Sequence, residues 1–178
     1  NNSVFELHGK DSVQLLLEIN FDKKKIVKIL TFTNGSYSFN CEYRFEGMED
    51  IIPNYSEYDI IWEGGLKYAE RNSVDETSSA ATFLFAGGEL DEADGSKLDD
   101  KKNNTINGKI DWIATRTKYF GLVIIPRNEG NEGAFRSHRR ETKPDNGIQE
   151  MYSIGVKMKY IAKPVETKAG DGFLPKDF

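Results

Sequence analysis

Cysteine is nearly absent. Cys41 stands alone in 178 residues, so no internal disulfide can form, and a lone thiol says little about redox compartment, because that rule concerns pairs. Histidine is equally scarce: His8 and His138 are the only two. A zinc centre needs three or four nitrogen, sulfur or carboxylate ligands, and two distant histidines with one cysteine do not supply them. No apolar run approaches the ~20 residues of a membrane helix, and nothing resembles a signal peptide. Both glycine pairs, Gly64-Gly65 and Gly87-Gly88, lack the following Lys-Ser/Thr of a phosphate loop. No G-x-S-x-G elbow is present to expose a nucleophile. No cofactor is therefore expected.

An excess of positive charge is missing too. Lys and Arg number 24 against 29 acids, giving a net charge of -5. A nucleic-acid binder needs a concentrated basic face, so that class is disfavoured. The acidic stretch from Glu89 to Asp100 invites a calcium reading, but setting Gly95 at the invariant glycine of an EF-hand puts Leu90 first and Lys101 last, and the motif fails. Twenty-nine acids make many carboxylate pairs, and spacing selects none for glycosidase work.

What the chain does have is aromatic and β-forming. Phe (11) and Tyr (8) make up most of a 12% aromatic share, the composition of half-buried strands. Residues 37–45 alternate Tyr37, Phe39, Cys41, Tyr43 and Phe45 with polar residues, so one face is apolar and Cys41 is expected to be buried on it. Asn34-Gly35 joins this strand to residues 25–33 as a hairpin, and residues 13–21 add a third antiparallel strand. Short strands are expected at 58–62 and 80–85. Residues 89–109 read as a long exposed excursion, with a short helix at 96–101. Strands are expected at 110–116, at 119–126 as an apolar run covered on both faces, and at 151–162. Residues 127–147 read as polar loop. Many strands and almost no helix give an all-β fold, a mostly antiparallel twisted β-sandwich over residues 1–178 as one domain. The chain starts at Asn1 without Met and stops after Gly-Asp-Gly-Phe-Leu-Pro, so a fragment of a larger domain is expected.

In the 127–147 stretch, Arg136, His138, Arg139, Arg140 and Lys143 form a basic cluster. This is the candidate contact site for anionic headgroups or an acidic partner. The large aromatics Trp62, Trp112, Tyr119 and Phe120 are expected to hold two sheets together.

Residues 108–126 (GKIDWIATRTKYFGLVIIP) resemble a signature of the periplasmic domain of YidC/OxaA membrane-protein insertases. That family tends to carry a Trp, then a Tyr-Phe pair leading through a strand to a Pro. Trp112, Lys118, Tyr119, Phe120, Ile125 and Pro126 fill those places. Trp62-Glu63-Gly64-Gly65-Leu66 with Glu70 is similar to an upstream W-x-G-L-x-x-E passage, and residues 151–159 resemble the strand after the Pro. The resemblance implies a supersandwich-like fold, no catalysis in this part, and a multi-pass inner-membrane protein whose domain faces the periplasm. It implies Sec translocon accessory proteins and nascent membrane proteins as partners. The competing reading is a carbohydrate-binding or aldose-epimerase-like sandwich, which would show Trp62 and Trp112 exposed together in a groove, or a paired histidine and carboxylate in a cleft.

Overall fold

The computed structural model describes residues 4, 6–9, 11–70, 73–96, 103–128, 130–141 and 147–161. It is all-β with mostly antiparallel strands and one short helix, α1 (Val74–Ser79). Its strands form two antiparallel sheets, the organisation expected of the sandwich class. The chain divides into two compact units that part between Asn54 and Tyr55.

The first unit is a meander of β1 (Ser12–Phe21), β2 (Lys24–Thr33) and β3 (Phe39–Glu46). Asp22 takes a left-handed φ of 56° in the tight turn between β1 and β2, a conformation Asp tolerates. The register Leu15↔Leu30↔Cys41 puts most of the apolar residues of the three strands on one face, with Leu16, Val27 and Ile29 on the other. The opposite face carries Gln14, Glu18, Lys25, Glu42, Arg44 and Glu46. On it Lys25 bridges Glu18 and Glu46 at 3.6 and 3.4 Å, and Val27 and Ile29 lie buried. The alternation is as the sequence indicates, but the apolar face is open. Leu15, Leu17, Ile19 and Phe39 are each about half exposed, and Cys41 is exposed rather than buried. Period-two patterning tells which side chains share a face; it does not tell whether a second layer covers that face.

The second unit is a seven-stranded sheet ordered β4 (Glu57–Trp62), β10 (Ile148–Lys159), β9 (Gly130–Glu141), β7 (Asn103–Arg116), β5 (Ala81–Ala86) and β6 (Glu89–Asp94), with β8 (Gly121–Ile124) paired to β7. Both β5 and β8 pair the same stretch of β7, so β8 lies on the edge that β9 continues. Its inner face gathers Leu84, Ile110, Ile113, Phe135, Tyr152, Ile154 and Val156, all 4% exposed or less. Gly133 lets β9 cross this core closely: a Cβ there would stand 2.6 Å from Leu84 Cδ1.

Three expectations are corrected here, and a fourth falls mostly outside the described residues. Residues 89–94 and 103–109 are strand, not excursion, because β6 and the first half of β7 pair with β5 and β9. Most of the expected helix at 96–101 lies outside the described residues, and Ser96 itself is in a turn. The basic stretch is β9, not loop: its polar residues alternate across a paired strand. The 119–126 run is not covered on both faces, since Val123 and Ile125 are 54% and 68% exposed.

Candidate contact site

The two sequence blocks that carry the resemblance meet in space. The chain leaving β4 turns through Glu63-Gly64-Gly65. There the Gly64 N–H donates to Ser153 Oγ at 2.8 Å, and the Trp62 indole N–H donates to the Gly65 carbonyl at 2.8 Å. Gly65 is at φ 69° and so close to β10 that a Cβ would lie 2.8 Å from Met151 Cβ and 2.9 Å from Tyr152 N. Only glycine fits that conformation and that gap together.

Residues 66–70 then run as a strap. The Tyr68 hydroxyl donates to the Glu150 carbonyl at 2.7 Å and accepts from the Glu150 N–H at 3.0 Å. Burial pushes the Tyr68 pKa up. Glu76 of α1 is fully buried and accepts the N–H groups of Ala69 and Glu70 at 2.9 Å each. A buried carboxylate is costly unless its lone pairs are used, and here the strap's own amides use them. Glu70 then reaches the β7–β8 turn, where it accepts from Lys118 Nζ at 3.0 Å and from the Tyr119 hydroxyl. Those bonds, Tyr119's first and then Lys118's, hold the Glu70 carboxyl below its ordinary range, and Glu70 in turn raises the Lys118 pKa. The turn is closed by the Thr117 N–H donating to the Phe120 carbonyl at 2.8 Å. It presents Tyr119 and Phe120 at 52% and 57% exposure.

The large aromatics therefore do not sit where expected. Tyr119 and Phe120 face out, and Trp62 is 41% exposed. Trp112 lies on the outer face of β7, half-buried and stacked on Phe85 with ring centroids 5.6 Å apart. Its face also displays Leu90, register partner of Phe85, and Val123, both more than half exposed. The core-facing side of the sheet is filled instead by aliphatic residues with Phe135 and Tyr152. Aromatic identity alone could not foretell this, because a Tyr or Trp serves at a surface as readily as inside.

The basic residues are dispersed rather than pooled. Arg136 is exposed on the outer face of β9. His138 Nε2 lies 2.6 Å from Ser153 Oγ and 3.6 Å from Glu63 Oε1. Arg139 points to the other face, where its Nε donates to Glu150 Oε2 at 2.7 Å; Glu150 is 1% exposed and also accepts from the Ser137 hydroxyl. Arg140 continues β9, and Lys143 lies outside the described residues. The buried network of Tyr68, Glu76, Arg139 and Glu150 left no sequence signal beyond charged residues at strand-like spacing.

His138, Ser153 and Glu63 bring a hydroxyl, an imidazole and a carboxylate together, but both oxygens approach the same ring nitrogen. A relay needs the acid on the nitrogen opposite the nucleophile. Among the described residues no group of His, Cys, Asp or Glu is placed to hold a metal ion. Trp62 shares the core-facing side of β4 with Ile60, while Trp112 is on the opposite side of β7, so they do not form one sugar-binding row. A groove over Gly155 and Ala134, rimmed by Ile61 and Lys157, holds about 190 Å³, less than the ~300 Å³ at which small-molecule sites begin.

In this β-rich unit the buried carboxylates hold segments together, while Tyr119, Phe120, Leu90 and Val123 face outward. The chain belongs to the YidC periplasmic domain family, whose profile matches residues 1–170. It is 30% identical over 156 residues to the membrane protein insertase YidC of Chloroherpeton thalassium, covering 87% of this chain and 26% of that protein. It is 30% identical over 151 residues to the same insertase of Chlorobaculum parvum (84% and 25%), and 32% identical over 137 residues to that of Chlorobium phaeovibrioides (75% and 23%). The chain thus spans about a quarter of the length of these relatives. The family is one of insertases rather than catalytic enzymes, and this domain lies on the periplasmic side of the bacterial inner membrane. No helix among the described residues is long and apolar enough to cross a membrane.

Proposed function

We propose that residues 1–178 are a non-catalytic part of a larger periplasmic domain, carried by a multi-pass insertase, that assists insertion and folding of inner-membrane proteins through contacts with Sec translocon accessory proteins and nascent membrane proteins. The observation that carries this reading is the division of labour among side chains. Glu76, Glu150 and Arg139 secure strap and strands, while Tyr119, Phe120, Leu90 and Val123 remain exposed. Exposed large apolar side chains mark interaction sites where they gather into one patch.

The basic stretch Arg136, His138, Arg139, Arg140 and Lys143 is a second contact element in this reading, for an acidic partner or anionic headgroups. Arg136 is exposed on the outer face of β9, whereas Arg139 is committed to Glu150. The test is co-purification of Sec accessory proteins with the parent insertase, carrying or lacking residues 1–178, from the same membranes. Recovery is expected to fall on deletion. Unchanged recovery removes the docking reading.

A further inference from the structure

Strand β9 pairs β10 from Ile148 to Met158, but on the other side of β10 the partner strand β4 reaches only residues 154–159. In an antiparallel ladder every second residue turns its N–H and C=O away from one neighbour, and those groups need another partner. Glu150 is such a residue. Its N–H donates to the Tyr68 hydroxyl at 3.0 Å, and its carbonyl accepts from the same hydroxyl at 2.7 Å. Two residues back, the Ile148 carbonyl accepts from the Thr77 hydroxyl of α1. Two residues on, Gly65 lies against Tyr152, where a Cβ would stand 2.9 Å from the backbone N and 3.2 Å from the carbonyl oxygen. At the head of the strand α1 presses on Gly147: a Cβ there would meet Val74 Cγ2 at 3.0 Å and Ser73 Oγ at 3.3 Å. The edge is thus closed at every second residue until Trp62 takes over opposite Ile154.

The two end strands of this sheet carry their own protection. β4 has Glu57 and Asp59, and β6 has Glu89, Asp91, Glu92 and Asp94; charge on an edge strand discourages a further strand. The first half of β10 has none. Between residues 148 and 153 its only charge is Glu150, buried and committed to Arg139. An edge of that kind, left bare, is a template for strand addition. We infer that the strap of residues 66–70 and helix α1 are an edge guard, with the Tyr68 and Thr77 hydroxyls standing in for a strand. Without them a second copy of this chain adds to β10 along residues 148–152. Two-fold antiparallel pairing about Glu150 lets each copy offer the other the N–H and C=O that Tyr68 now occupies. The inference is independent of the contact reading above. It gives residues 62–70 a task of their own, keeping a paired strand from pairing further.

The test compares the full 178-residue chain with Tyr68→Ala, which removes ring and hydroxyl, and Tyr68→Phe, which keeps the ring and folds more readily. Sedimentation gives the mass, and hydrogen exchange gives the protection of the Glu150 amide, over about a hundredfold range of concentration. In the dilute variants that amide is expected to exchange at least about tenfold faster than in wild type. At high concentration the mass should rise towards a dimer and the protection should return, in Tyr68→Ala first. Ile148→Pro removes an N–H that faces the same edge at the first residue of the strand, where proline is tolerated. Added to Tyr68→Ala, it should abolish the dimer. Phe135→Leu weakens the core without touching the guard and should lower the urea midpoint with no gain in association over wild type. Tyr68 variants that lose stability yet associate no more than wild type at any concentration overturn the inference, because a merely structural tyrosine behaves that way. Association that survives Ile148→Pro, or that Phe135→Leu reproduces, overturns it as well.

Discussion

Arg139→Met removes the cation from a directly opposed pair near the Ile148 end of the β9–β10 ladder. Glu150 is 1% exposed and Arg139 22%, with 2.7 Å between Nε and Oε2. Taking one partner from a buried pair leaves an uncompensated charge, which costs ~3–5 kcal/mol. The Ser137 hydroxyl still serves Glu150 Oε1, and water reaches the rim of the site, so a loss of ~3 kcal/mol is expected, the low end of that range. The double variant Arg139→Met/Glu150→Gln removes the stranded charge and should recover ~1–2 kcal/mol relative to the sum of the single losses. Urea denaturation followed by tryptophan fluorescence reads this directly, because Trp62 and Trp112 both belong to the unit that holds the pair. The midpoint should move at constant m. A single-variant loss under ~1 kcal/mol, or a double variant as unstable as the sum, would refute the structural role given to Arg139.

Gly65→Ala should cost ~2 kcal/mol or more, since it adds a left-handed strain to a collision with β10; an unchanged melting temperature would mean the turn is not held there. Trp112→Ala should cost ~1–2 kcal/mol, less than a fully buried tryptophan, because the ring loses mainly its stack on Phe85. Glu70 has a depressed carboxyl pKa, so its contribution is fully present above its ordinary value of 4.5 and is lost as pH falls through the lower folded value. Wild type should therefore lose more stability than Glu70→Gln between pH 5 and pH 3, as two melting series at matched salt would reveal; parallel curves would contradict the tether.

The β1–β3 meander and its facing residues were legible because alternation and the Asn34-Gly35 turn are local signals. Strand β9 was not, since Gly130, Gly133 and a run of charged residues imitate a loop; its pairing with β7 and β10 overrides that composition. The resemblance blocks pointed to Glu70, Lys118 and Tyr119 separately. Their union is a tertiary contact across 48 residues of chain that no spacing rule contains. The basic stretch was legible as charge only. Which of its members turns inward depends on strand parity and on Glu150, eleven residues beyond Arg139.

The central claim is that this module works by being touched. A photo-crosslinking residue placed in turn at Leu90, Phe120 and Ile125 of the parent insertase, in native membranes, tests it most directly. The account predicts adducts to a second protein, a Sec accessory subunit or a nascent membrane protein, from at least one position. Crosslinks confined to the insertase itself at all three would contradict it.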